Sequence, residues 1–423
     1  MELSPMMRRS FLLSGLGLTV AALVPALAAE APPYILGATA ITQVFGAGQR
    51  LVGVAIQQDR PVTAEALDPT LYSVEGRTIT RVYASSAPGV ADAAGAWITL
   101  DLAPEDAGAA LFVTTGRTTQ RLPSATTVTI TPKGEVKTEG PPDFNTIPRS
   151  IPTNAARNLV VDDFTAEEFR DPQTGDTLAY NLYVPKTATG PLPLVIFMHD
   201  AGNTSPVVDT TLVQGLGAVS WASPEDQARH PAIVLAPQFA AQTVNDGSEA
   251  SSLLDTTLHL IEEIATRFGV DRNRIYTTGQ SGGGMMSIAM MVKQPDLFAA
   301  AFLVACQWDP AVVAPLAKQK LWVVVAEGDA KAFPGQNAIM AVIEAEGTAY
   351  SQALWDGTSA DFAGVVADQV GQGLSVNYSV LKKGSVVPAD QEDTPGSNHI
   401  NTWRIAYDIP GIRDWIMAQT RGS

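Results

Sequence analysis

Two hydrophobic periods divide the chain. From about Pro33 to Pro132 the apolar positions come in short β-branched or aromatic runs separated by turn residues. Leu51–Ile56, Thr78–Tyr83, Trp97–Leu102, Ala110–Thr114 and Thr126–Ile130 are five of them. About a hundred residues with this spacing predict an all-β, immunoglobulin-like sandwich. From about Asn158 onward the pattern changes. Leu194–Met198, Ala232–Ala236, Ile275–Thr277, Ala301–Val304 and Leu321–Val325 are near-continuous apolar runs, suited to parallel strands buried on both faces. Between the second and third, Leu254, Leu258, Ile261, Ala265 and Phe268 recur on one helical stripe. Strands alternating with such helices predict a mostly parallel sheet with helices on both faces.

Pro132, Pro141, Pro142, Pro148 and Pro152 punctuate the polar stretch between the two patterns, so 133–157 reads as a linker or an ordered crossing segment. The expected division is 1–29 export signal, 33–132 β domain, 133–157 linker and 158–423 catalytic domain. The export signal rests on Arg8-Arg9, an apolar run to Leu27 and the small-residue site Ala26-Leu27-Ala28. Arg-Arg-x-Phe-Leu is the order of a twin-arginine signal, with an ordinary secretory signal or an uncleaved anchor as the alternatives. Gly15, Gly17 and Pro25 make the run a poor permanent span.

Composition narrows the partners. Of 423 residues, 46% are hydrophobic and 17% charged, enough to fill large cores. A net charge of −16 with no extended basic patch argues against nucleic acid and anionic membranes. Cys306 is the single cysteine, so no internal disulfide forms, and its place after an apolar run predicts a buried strand-end residue. No stretch matches a metal site, a nucleotide loop or a lipase lid. No cofactor is expected, and the sequence leaves the oligomeric state open.

The chemistry centres on Gly279-Gln280-Ser281-Gly282-Gly283, a Gly-x-Ser-x-Gly between a β-like run and a helix-like run. Strand, glycine-tight turn and helix make a nucleophile elbow, which lifts a serine Oγ above a helix N-terminus. A serine needs a base, and the base needs an orienting acid. His399 is the only histidine after Ser281, in an expected loop beyond the strand-like run 375–382. His199 ends a strand, His230 sits at the opposite sheet end, and His259 lies on a polar helix face. Asp329, just past the Leu321–Ala326 run, is the expected acid, with Glu327 as runner-up and Asp356 and Asp393 behind. The loop after the Leu194 run would supply one oxyanion N–H, from Ala201, and the elbow the other, from Gly282.

With these residues in view, 158–423 resembles the α/β-hydrolase superfamily. The nearer resemblance is to secreted esterases with an immunoglobulin-like N-terminal domain, similar to polyhydroxybutyrate-depolymerase-like and predicted-peptidase hydrolases. It is carried by Tyr180–Pro185, Leu194–Gly202, Asp271–Tyr276, the elbow, Gly328–Pro334 and His399–Trp403. The resemblance implies Ser281 as nucleophile, His399 as base, Asp329 as acid and Ala201 and Gly282 as oxyanion donors. One departure stands out. Many relatives read His-Gly at the oxyanion loop, whereas Asp200 follows His199 here, placing a carboxylate near the site. The implied function is an exported carboxylic-ester hydrolase acting on a small or polymeric ester. A peptidase on the same triad, a hydroxyalkanoate depolymerase and a non-catalytic surface-binding protein are the alternatives. Trp308, Trp355 and Trp403 are candidates for either a pocket lining or a core.

Overall fold

A computed structural model describes residues 35–115, 118–131, 149–186 and 190–422. The expected export signal (1–29) and most of the expected linker (133–148) lie outside the described residues.

The N-terminal part is a sandwich of a six-stranded and a three-stranded sheet. Its core holds Leu51, Val54, Ile56, Leu100, Leu102 and Val128. The alternation of buried and half-buried positions in Thr127–Ile130 is that of a strand with one wetter face. One expectation needs correction. Residues 149–158 are not linker but two further strands of the sandwich. Arg149–Pro152 pairs antiparallel with Thr127–Ile130, and Ala155–Asn158 pairs parallel with residues 39–42. Pro152 is tolerated because it ends its strand at the sheet edge, where no ladder N–H is needed.

The second part is built on one nine-stranded sheet. Its strands are β1 (Thr165–Arg170), β2 (Thr177–Tyr183), β3 (Leu194–Met198), β4 (Ile233–Gln238), β5 (Ile275–Gln280), β6 (Ala300–Val304), β7 (Leu321–Ala326), β8 (Ser351–Trp355) and β9 (Val376–Leu381). Their spatial order is β1-β2-β4-β3-β5-β6-β7-β9-β8. All pairs from β4 onward are parallel, and β1 and β2 add an antiparallel edge. Every residue of β3 to β7 is buried, as expected of strands covered on both faces.

Helices α1 (Leu253–Arg267), α2 (Gly282–Lys293) and α3 (Ala332–Ala345) cover one face. Leu258, Ile261, Met286, Ile288 and Ile339 pack there against Ile196, Leu235, Leu303 and Val323. The helix Leu216–Ala222, α4 (Pro395–Ala406) and the segment 407–416 cover the other face. There Trp221, Trp403, Tyr407 and Ile412 meet Phe197, Phe302 and Trp322. Val44 and Phe112 of the sandwich belong to this second core, so the two parts share buried apolar surface. The strand order turns back on itself around β3, β4 and β5. The crevice at the carboxyl ends of those strands is the place for a ligand site.

Candidate active site

The elbow follows from backbone geometry. Ser281 sits between β5 and α2 at φ 50° and ψ −120°, a conformation that costs a non-glycine residue about 1–3 kcal/mol. Its N–H donates to the Val304 carbonyl (2.9 Å), which anchors the turn to β6. The flanking glycines are there for space. A Cβ on Gly279 would lie 2.4 Å from the carbonyl carbon of Gly283, and one on Gly283 would lie 2.0 Å from the Met198 carbonyl oxygen. No side chain fits either contact.

Asp329 follows β7 in a tight turn, and its N–H donates to the Ala326 carbonyl. Its Oδ1 accepts from the N–H groups of Lys331 (3.0 Å) and Ala332 (2.9 Å), and its Oδ2 faces His399 Nδ1 at 2.5 Å. Burial pushes this carboxyl up. The hydrogen bond and charge of His399 and the two N–H donors outweigh that and hold its pKa below the usual carboxylate range. With Nδ1–H donating to Asp329, His399 presents Nε2 as an acceptor, 2.9 Å from Ser281 Oγ. Ser281, His399 and Asp329 are thus brought together in one line of hydrogen bonds. Glu327 is not in that line. Its Oε2 accepts from the Lys383 N–H (3.2 Å).

The expected loop around His399 is in fact helix. Thr394 and Ser397 form a reciprocal capping box, Pro395 takes the first helical turn, and His399 rides on α4. The Trp403 ring, one turn on, meets the imidazole edge-on with centroids 5.0 Å apart. Asn398 fastens the helix start. Its Oδ1 accepts from the Gly384 N–H, its Nδ2 donates to Asp393 and to the Thr394 carbonyl, and its amide lies against Gly328. A Cβ on Gly328 would come within 2.3 Å of that amide, which explains the glycine before Asp329. Neither Asn398 nor Trp403 declares this role by residue type. The Thr394-Pro395-x-Ser397 cap was the legible signal.

Ala201 opens a short 3-10 turn (Ala201–Asn203) after β3, and Gly282 opens α2. First helical positions leave their N–H groups without an intrahelical acceptor. The two segments abut, since a Cβ on Gly282 would lie 3.3 Å from Ala201 N. Both border a small recess of about 10 Å³, shared with His199, Phe239 and Val244.

Asp200 does not face the recess as a free charge. Its carboxylate is buried and accepts from Gly202 N–H (2.8 Å), Asn203 Nδ2 (2.7 Å) and Gln280 Nε2 (2.9 Å). Gln214 Oε1 accepts from the same Asn203 and Gln280 amides. This cluster bolts the Ala201 turn to the residue before Ser281. Gln280 was visible as a variable letter of the motif, but nothing local signals its partner 80 residues upstream.

The other histidines have other duties. His199 is buried, donates from Nδ1 to the Asp200 carbonyl (2.7 Å) and accepts from the Phe239 N–H at Nε2 (2.9 Å), tying β3 to β4. Burial lowers its pKa, partly offset by the Asp200 carbonyl and charge, so it stays neutral. His230 lies before β4, near Asp226 and Asp414. His259, expected on an open polar face, instead meets the buried carboxylate of Asp171 at 2.6 Å. Cys306 is buried as expected, and burial pushes its thiol up to about 12. Trp308, Trp355 and Trp403 all belong to the cores. Among the described residues no cluster of histidine, cysteine and carboxylates could hold a metal ion.

Residues 37–141 match the family model described as the esterase Ig-like N-terminal domain, and residues 250–312 match that of the prolyl oligopeptidase family. A solved structure of a thermostable esterase superposes with a TM-score of 0.76 and 25% identity, over 91% of this chain and all of the other. The chain has an α/β-hydrolase fold preceded by an immunoglobulin-like domain of the esterase N-terminal type. Feruloyl esterase B of Talaromyces funiculosus is 24% identical over 136 residues, 29% of this chain, and that of Talaromyces stipitatus is 25% identical over the same length. The match spans about a third of those relatives' own length, 35% and 34%. The fungal match is therefore local, whereas the likeness to the thermostable esterase covers 91% of this chain.

Proposed function

We propose that this hydrolase is an exported serine carboxylic-ester hydrolase, with Ser281 as nucleophile, His399 as base and Asp329 as its orienting acid. The observation that carries the reading is the 2.9 Å approach of His399 Nε2 to Ser281 Oγ, with Nδ1 turned to a buried carboxylate. Ser281 Oγ attacks the ester carbonyl carbon while His399 Nε2 takes its proton. The oxygen left with a negative charge is held by the N–H groups of Ala201 and Gly282. Each such donor is typically worth about 2.7–4 kcal/mol in the transition state. The C–O bond to the alcohol then breaks, and His399 returns the proton to the departing oxygen. Water attacks the acyl-enzyme with His399 again as base, and the acid leaves as Ser281 regains its proton.

A peptidase on the same residues is the second reading, favoured by the prolyl oligopeptidase match over 250–312. The two differ at collapse, because an amine must be protonated as it leaves whereas an activated alcohol leaves readily. The ester reading expects kcat/KM on an activated short-chain ester at least about a thousandfold above a matched amide, a gap of roughly 4 kcal/mol. Comparable rates on both would turn the assignment to the peptidase. Labelling by a fluorophosphonate probe tests the nucleophile. One adduct per chain is expected, lost in Ser281→Ala, and an adduct that survives that change would remove Ser281 from the mechanism.

Export rests on the Arg8-Arg9 segment and the Ala26-Leu27-Ala28 site. Among the described residues no helix is long and apolar enough to cross a membrane. N-terminal sequencing of the exported protein should begin near residue 30, and replacing both arginines by lysine should retain the precursor if the twin-arginine route is used.

A further inference from the structure

The loop after β4 is a built element. The Ser251 N–H donates to the Thr243 carbonyl (2.8 Å) and the Asn245 N–H to the Glu249 carbonyl (3.1 Å), so residues 243–251 form a small hairpin. Asn245 fastens its tip. Its Oδ1 accepts from the Gly247 N–H (2.9 Å) and the Glu249 N–H (3.1 Å), and its Nδ2 donates to Glu249 Oε2 (2.7 Å). At the foot, Val244 is buried in the same core as Leu254 and Met285. The hairpin is therefore a stiff arm on an anchored foot.

The arm reaches across the site. Val244 borders the recess together with Ala201 and Gly282. At the tip, the Asp246 carboxylate pairs with the Lys331 ammonium. Lys331 stands just before α3, and its own N–H holds Asp329 Oδ1 (3.0 Å). In the sheet, β3, β5 and β6 lie between β4 and β7. The arm thus spans the carboxyl ends of three strands, and the middle one delivers Ser281. With the ion pair made, the loop after β4 and the acid turn after β7 form one continuous rim. Both partners are largely exposed, Lys331 to 64% and Asp246 to 69%. Such a pair contributes little and is screened by salt, so it opens readily. We infer that Asp246 and Lys331 set the width of ester the site admits. Their ion pair latches the arm over the mouth, a slim ester passes beneath it, and a wide one reacts only while the latch is open. A substrate that needs a minor conformer is slowed by that conformer's fraction. This inference rests on the ester-hydrolase reading above.

Two esters read the latch. p-Nitrophenyl acetate is slim, and 2-naphthyl 2-naphthoate is wide at both ends, so the result does not depend on which end faces the arm. The wide-to-slim ratio of kcat/KM is compared between variants, which cancels the intrinsic reactivity of each ester. Asp246→Ala should raise that ratio about twofold to fivefold, the range an exposed ion pair supplies. Sodium chloride at about 0.5 M should raise it as far in the wild type and leave Asp246→Ala unmoved. Asp246→Lys and Lys331→Asp should each raise it. The double exchange restores an ion pair of reversed sense and should bring the ratio back to the wild-type value. Lys331→Glu replaces the aspartate variant should that one fail to fold. A ratio unmoved in Asp246→Ala, a rise that salt still adds to in that variant, or a double exchange no closer to wild type than the single changes overturns the latch. Each of these leaves the wild-type hydrolysis of the acetate, lost in Ser281→Ala, intact. Absence of that acetate hydrolysis would instead remove the ester-hydrolase reading itself.

Discussion

Three side chains and a few backbone groups carry the proposed chemistry, and each has its own expected signature. Because Ser281 and His399 act as a unit, Ser281→Ala, His399→Ala and the double change should cost about the same in kcat, a non-additivity read from steady-state rates. Asp329→Asn should lower kcat strongly with little loss of stability, since the asparagine keeps the shape but offers the imidazole the wrong partner. If Glu327→Gln lowers kcat as much, the acid is misassigned. Gly283→Ala tests the elbow's packing rather than its chemistry. Its methyl would press on the Met198 carbonyl, so a loss of about 1–3 kcal/mol or more should appear in thermal unfolding. At this scale the sequence was informative where chemistry restricts residue type. A serine between glycines and one downstream histidine are few enough to name as candidates, and an aspartate past a strand adds a third with Glu327 beside it. It was silent on Gln280, Gln214 and Asn203, because an amide's partner is set by tertiary contact and amides occur everywhere.

At the scale of elements, the apolar runs named β3 to β7 correctly, because a strand buried on both faces has no polar position to confuse the pattern. The helix under His399 was harder. Its middle is polar, with Asn398, Asn401 and Thr402 buried through hydrogen bonds rather than apolarity, so no hydrophobic stripe marks it. Only its cap was written plainly. Thr394→Ala should therefore cost about 1 kcal/mol of stability and lower kcat with it, since the cap positions the base. The contact between α1 and the turn after β1 gives a pH prediction. Burial raises the Asp171 carboxyl, but the His259 hydrogen bond, the Gln173 N–H and the Thr174 hydroxyl outweigh it and bring it to about 2. A carboxylate with a depressed folded pKa stabilises the fold fully above its ordinary value near ~4 and loses that contribution as pH falls toward about 2. The urea midpoints of wild type and Asp171→Asn should thus differ at pH 6 and converge on acidification between those values.

The molecule as a whole is two parts with one boundary, and the boundary is where composition misled. Proline and polar residues at 149–158 look like a connector, yet they add strands to the sandwich, because edge strands tolerate prolines that central ones cannot. The boundary is also intimate. The turn at Gly46 lies against the Arg404 carbonyl of α4 so closely that a Cβ there would come within 2.0 Å of the oxygen. Arg121 and Asp209 form a two-pronged ion pair (2.6 and 2.9 Å) between the parts. A chain reduced to residues 158–423 would expose Val44's and Phe112's partners in the second core. It should unfold at lower denaturant than the full chain and lose activity even on small esters. A fragment of 30–150 should show no ester hydrolysis.

The turn at Gly46 has a further meaning for the life of the protein. The helix it grips is the one that carries His399, the proposed proton acceptor, so the sandwich and the proposed chemistry share a mechanical joint. Heat or force that parts the two halves would loosen α4 before the nine-stranded sheet gives way. Catalysis should then fade at a temperature below the main calorimetric transition and return on cooling, as long as the sheet has not melted. The N-terminal half would serve as a fuse, switching the hydrolase off reversibly before it is destroyed.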